Sequence, residues 1–81
     1  MIVMTNKDNI EFAVKAYGKS ELALMYFPTA NSAHTAVNHL MSWINRCTVL
    51  KKRLKEVGYQ KSAKFFTPKE VALIVDHIGN P

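Results

Sequence analysis

Eighty-one residues, 48% of them hydrophobic, set the scale at one small core: enough to fold, too little for a deep catalytic cleft, and well above the apolar content of a disordered chain. Eleven Lys and Arg against six Asp and Glu leave a formal charge of +5, which favours a polyanionic partner. A single cysteine, Cys47, excludes an intramolecular disulfide framework, and no apolar run reaches membrane-spanning length, so a cytoplasmic protein with no membrane partner is expected.

Residues 1–9 read as a short arm. Ile10, Phe12, Val14 and Ala16 then alternate with Glu11, Lys15 and Tyr17 at the period of a strand. A first helix is expected from Lys19 or Ser20 to Phe27, ended by Pro28, which pushes the preceding residue out of the helical region. It is short and almost wholly apolar, so it should be buried. Asn31-Ser32 opens a second helix, in which Ala33, Ala36, Val37, Leu40, Met41 and Ile44 recur at helical spacing and Thr35, Asn38, His39, Ser42 and Asn45 occupy the other face. The third begins at the cap Thr48, buries Leu50, Leu54 and Val57, and stops at Gly58, with Lys51, Lys52, Arg53 and Lys55 directed outward. Tyr59 to Phe66 lacks helical periodicity. The fourth helix runs from Pro68, favoured at a first helical position, through Val71, Ile74, Val75 and Ile78 to Gly79.

One phrase occurs twice. Lys15-Ala16-Tyr17-Gly18-Lys19-Ser20-Glu21-Leu22-Ala23-Leu24-Met25 and Lys64-Phe65-Phe66-Thr67-Pro68-Lys69-Glu70-Val71-Ala72-Leu73-Ile74 each carry a basic, aromatic strand end into a capped helix start. Thr67 with Glu70 forms a capping box, and Glu21 can return a bond to the weaker cap Gly18. These two carboxylates are therefore caps and not an acid/base pair. If the extended segments pair, they form a ribbon that brings both helix starts together. The expected fold is mostly α: a compact four-helix domain over residues 10–81, helix-turn-helix-like, with a short two-stranded β ribbon.

The charge is concentrated. Between Arg46 and Lys69 lie eight basic residues and one acid, Glu56, so this segment is +7 and the remainder −2. Such a segment suits a polyanion, because each cation laid on a phosphate releases condensed counterions. Lys51, Lys52, Arg53, Lys55, Lys61 and Lys64 are the candidate phosphate-binding residues. If four to six cations engage phosphates, affinity should fall with salt at a log-log slope of roughly −4 to −5. The first two helices, joined through Pro28-Thr29-Ala30-Asn31, suggest a helix-turn-helix in which Ala23 permits close crossing. Ser32, His34, Thr35 and Asn38 would then face the bases, since Asn pairs bidentately with adenine and Ser or Thr bond either base. Trp43, Tyr59, Phe65 and Phe66 are either stacking platforms or core.

Enzymatic chemistry is not expected. Asp76 and His77 are adjacent and face different sides of a helix, and His34 and His39, five apart, do not share a metal-binding edge. No Gly-rich phosphate loop occurs among the three glycines, and no cofactor, metal or small-molecule substrate is implied. The alternative to DNA binding is a protein-interaction or homodimerisation module, whose patch would involve Tyr26, Phe27, Met41 and Trp43.

The strings Tyr17-Gly18-Lys19-Ser20-Glu21-Leu22-Ala23, Tyr26-Phe27-Pro28, Trp43-Ile44, Gly58-Tyr59, Phe66-Thr67-Pro68 and Gly79-Asn80-Pro81 together resemble the small bacterial proteins catalogued as domain of unknown function 4248, over roughly residues 12–81. That resemblance implies a small compact domain and supplies no catalytic residues. A fainter resemblance, to helix-turn-helix regulators and excisionase-like modules, concerns residues 17–46 and is one of fold.

Overall fold

A computed structural model of the chain describes residues 12–81. Its elements, in order, are strand β1 (Tyr17–Gly18), helix α1 (Lys19–Tyr26), helix α2 (Ala33–Arg46), helix α3 (Thr48–Glu56), strand β2 (Phe65–Phe66) and helix α4 (Pro68–Ile78). The fold is mostly α with a short β ribbon, as the periodicities imply.

The ribbon joins the two copies of the repeated phrase. β1 and β2 are antiparallel, with Tyr17 opposite Phe66 and Gly18 opposite Phe65. One further bond, from the backbone N–H of Lys19 to the carbonyl of Lys64 at 2.9 Å, extends the pairing into the first residue of α1. The starts of α1 and α4 are thereby held side by side. At α4 the capping box is complete: Thr67 Oγ1 accepts from the Glu70 N–H at 3.2 Å, and Glu70 Oε1 accepts from the Thr67 N–H at 2.8 Å. At α1 Glu21 Oε1 accepts from the Gly18 N–H at 3.3 Å, and glycine has no side chain to complete the exchange.

The core is built from one or two large side chains per element. Tyr17 and Phe66 come from the ribbon, Leu22 and Ala23 from α1, Leu40 and Ile44 from α2, Leu50 and Leu54 from α3, and Val71 and Ile74 from α4. Ala23 and Ala36 are fully buried where α1 lies against α2, and two small side chains there let the backbones approach closely. Tyr26, half-buried, donates its hydroxyl to the carbonyl of Gly79, tying the end of α1 to the end of α4. Burial pushes that hydroxyl's pKa up to about 12.

Four expectations are corrected. Among the described residues, the short strand expected from the alternation over Ile10 to Tyr17 is confined to Tyr17–Gly18: Ile10 and Glu11, like the arm at residues 1–9, lie outside the described residues, and Phe12 to Ala16 are unpaired. Instead the chain doubles back, because the Tyr17 hydroxyl donates to the Ala13 carbonyl at 2.7 Å and the Phe12 ring stacks on Tyr17 at 5.3 Å. That contact is impossible for an extended segment, and it buries Tyr17 while Val14 and Ala16 stay exposed. α1 is also not wholly buried; only Leu22 and Ala23 are, while Leu24 and Met25 point to solvent, since one small core covers one stripe of an eight-residue helix. Cys47, not Thr48, is the residue preceding α3, because the chain has a single non-helical residue in which to turn between α2 and α3. Val57 lies beyond the last helical turn and is exposed.

The connection from α1 to α2 runs from Phe27 to Ser32 and takes six residues, longer than the three or four of a helix-turn-helix.

Candidate functional site

α3 ends in a turn that shapes the surface beside it. Gly58 adopts φ +89°, its N–H bonds to the Lys55 carbonyl at 3.1 Å, and the N–H of Tyr59 bonds to the Leu54 carbonyl at 3.0 Å. This is the Schellman arrangement, which needs a left-handed residue and here turns Tyr59 back over the helix end. The Tyr59 ring stacks on Phe66 at 5.9 Å and its hydroxyl donates to Met41 Sδ at 3.6 Å. The following turn, closed by the Ala63 N–H on the Gln60 carbonyl at 3.0 Å, carries the chain to Lys64 and the ribbon.

Between this turn, α3, the start of α1 and one stripe of α2 lies a groove of about 970 Å³. Ligand pockets commonly fall in the range of roughly 300–1,000 Å³. Five lysines line it: Lys19, Lys51, Lys55, Lys61 and Lys64, with no acidic side chain among the lining residues. α2 contributes His34, Asn38 and Asn45 together with Val37, Met41 and Ile44, spaced three and four apart along one face. Leu54 and Tyr59 complete the apolar part. Thus the groove combines a cationic border with a partly apolar floor.

Lys19 is held in place. Its ammonium donates to the Lys61 carbonyl at 2.9 Å and stands over the rings of Tyr59, at 4.7 Å, and Phe66, at 5.6 Å. A cation over an aromatic face is attracted by the ring quadrupole, so one positive charge is fixed inside the groove. The same contact covers the Tyr59 ring, and Phe66 is fully buried, so neither is a free stacking platform. Trp43 and Phe65 are exposed and lie outside the groove lining.

Of the candidate phosphate-binding residues, the groove collects Lys51, Lys55, Lys61 and Lys64; Lys52 and Arg53, also exposed, fall outside it because α3 turns them to its other faces. The candidate base-facing residues divide. His34 and Asn38 line the groove, whereas Thr35 lines a smaller recess of about 240 Å³ beside Phe27 and His39. Ser32 enters neither: its Oγ accepts from the Thr35 N–H at 3.1 Å and bonds Thr35 Oγ1 at 3.1 Å, capping α2. Lys19 and Asn45 are groove residues that sequence reasoning did not assign, and Tyr59, expected as a stacking platform or core, lines the groove beneath Lys19. The repeated phrase gives no signal for Lys19, since the second copy has Pro68 at the equivalent place; Lys19, Asn45 and Tyr59 depend on how the turn after α3 folds back toward α1 and α2.

Among the described residues no three of His, Cys, Asp and Glu are gathered as a metal site, and no helix is long and apolar enough to cross a membrane. Cys47 is a half-buried free thiol between α2 and α3.

Comparison with known families places the chain. Residues 13–81 match the family model described as Domain of unknown function (DUF4248), and the chain belongs to that family. No curated protein and no solved structure matches it.

Proposed function

We propose that this member of the family is a non-enzymatic, cytoplasmic DNA-binding module that holds its ligand in the lysine-lined groove. The observation that carries this reading is the convergence of five lysines from three separate parts of the chain on one concavity without a single acidic lining residue. A merely solubilising surface intersperses both signs. Lys51, Lys55, Lys61, Lys64 and Lys19 are the phosphate partners, and His34, Asn38 and Asn45 supply hydrogen-bonding groups toward the bases. Lys52, Arg53, Ser32 and Thr35, outside the groove, contribute through long-range charge or through the fold.

The groove can be separated from diffuse charge by two paired variants of equal charge change. Lys51→Gln with Lys55→Gln should weaken binding of a random DNA oligonucleotide about tenfold at moderate salt and reduce the log-log salt slope by about 2, one for each lost contact. Lys52→Gln with Arg53→Gln should change affinity no more than about twofold, since these side chains sit on the other faces of α3 and make no direct phosphate contact in the groove. Circular dichroism checks that both variants keep the helices. Equal weakening by the two pairs would show that charge alone, and not the groove, governs binding.

A second reading rests on the exposed Leu24, Met25 and Trp43, which suit a partner protein or a second copy. A mass in solution that rises with concentration, together with no DNA retention by the unaltered chain, would favour it.

A further inference from the structure

Resting on the groove reading above, we infer that the DNA taken by this site is a single strand, its bases entering the groove and its phosphates running along the lysine border. The first ground is the one-sidedness of the charge about α2. A helix seated in the major groove, about 12 Å wide, has a phosphate backbone on each flank. Here all five groove lysines come from elements other than α2 and lie on one of its flanks. The other flank holds Phe27, Thr29, Ala30, Asn31, Thr35 and His39 around the smaller recess, whose lining has no Lys or Arg, and the exposed Arg46, seven residues past His39 on the same face, is the one cation α2 itself places there. One backbone would meet five lysines and the second, from α2, only Arg46.

The second ground is the floor. Val37 and Met41 are half-buried in the groove, backed by the buried Ile44 and Leu54, with Tyr59 beside them beneath the Lys19 ammonium. A duplex presents phosphates and base-pair edges, with its ring faces stacked away; an unpaired strand presents whole bases, which are partly apolar and suited to such a floor. His34, Asn38 and Asn45 sit along the same stripe of α2, within reach of Watson–Crick edges that pairing would otherwise occupy. The third ground is the loss of the duplex-reading set: Ser32 is used as a helix cap and Thr35 faces the opposite recess.

The test uses fluorescence anisotropy with three probes of equal length, about twelve nucleotides each: a mixed-sequence single strand, the corresponding duplex, and a strand of the same charge in which the central residues are abasic. The base-bearing single strand should bind at least about tenfold more tightly than either of the others, with a salt slope near −3.5 for five contacts at about −0.7 each. The Lys51→Gln, Lys55→Gln pair should lower that slope, and the abasic strand should keep it while losing affinity. Duplex binding as tight as single-strand binding, sensitive to the Lys51 and Lys55 pair, would overturn the single-strand inference and leave the groove reading standing. Equal affinity for abasic and base-bearing strands would overturn it as well, by removing the bases from the site. Absence of binding to all three probes would overturn both readings.

Discussion

Gly18 and Thr67 hold equivalent places in the two copies of one phrase and differ by a side chain. Both precede a helix whose third residue is glutamate, and both donate their N–H to that glutamate, yet only Thr67 returns a bond to the helix. The glycine is not required by the backbone. Its φ of −62° is ordinary for any residue, and a Cβ placed there would meet Phe65 Cε1 at 3.7 Å and Glu21 Cβ at 3.8 Å, which is normal contact. Gly18→Ser should therefore complete the second capping box and restrict the unfolded chain. Together these effects stabilise by about 0.5–1 kcal/mol, or a rise of about 4 °C in Tm for a domain of this size. Thermal unfolding followed by circular dichroism measures it; a fall in Tm would mean that the ribbon needs glycine for a reason other than space.

At the scale of elements, Gly58 is the opposite case, because its φ of +89° lies where a Cβ is strained. Gly58→Ala should destabilise the fold by about 1 kcal/mol or more, with Gly58→Asn costing less since asparagine tolerates the left-handed region. If the groove takes DNA as proposed, the same variants should weaken that binding beyond what stability explains, because the turn sets Tyr59 and the lysines after it; chemical denaturation and anisotropy on one set of proteins separate the two effects. Elements whose specification is local were legible in the sequence. Ser32, Pro68, Thr67 with Glu70, and Gly58 each mark a helix end through a mechanism confined to a few neighbouring residues, and the doubled phrase announced the ribbon. What was not legible depended on contacts between distant parts. Tyr17 reads as the polar phase of a strand and is buried because its hydroxyl reaches back to Ala13; α1 reads as buried all round and has only one neighbour-facing stripe. The site followed the same division. Lysines on α3 were visible as a run, but which of them share a groove is decided by helical phase and by the turn at Gly58, so Lys51 and Lys55 separate from Lys52 and Arg53 only once the fold is known.

For the whole molecule, a cluster of five lysines with no acid among the lining residues is a source of self-repulsion in the native state. Unfolding lets the charges separate, so their mutual repulsion favours the unfolded chain, and salt weakens that preference as the screening length falls from about 30 Å at 0.01 M to about 8 Å at 0.15 M. Tm should accordingly rise between those salt concentrations. The Lys51→Gln, Lys55→Gln variant, with less charge to screen, should begin from a higher Tm at low salt and rise less, whereas Lys52→Gln with Arg53→Gln should keep most of the response of the unaltered protein. Under the proposed function a bound strand would neutralise the same charges and stabilise by linkage, roughly 2.7 kcal/mol at a hundredfold excess over Kd. Salt and ligand therefore relieve one repulsion, so the stabilisation that a saturating strand adds should shrink as salt rises, both because Kd weakens and because less repulsion remains. Differential scanning at two salt concentrations, with and without strand, reads both quantities from one protein. If Tm fell with salt in the free protein, favourable ion pairs and not the lysine cluster would dominate the electrostatics, and the groove would lose the charge density on which its proposed role depends.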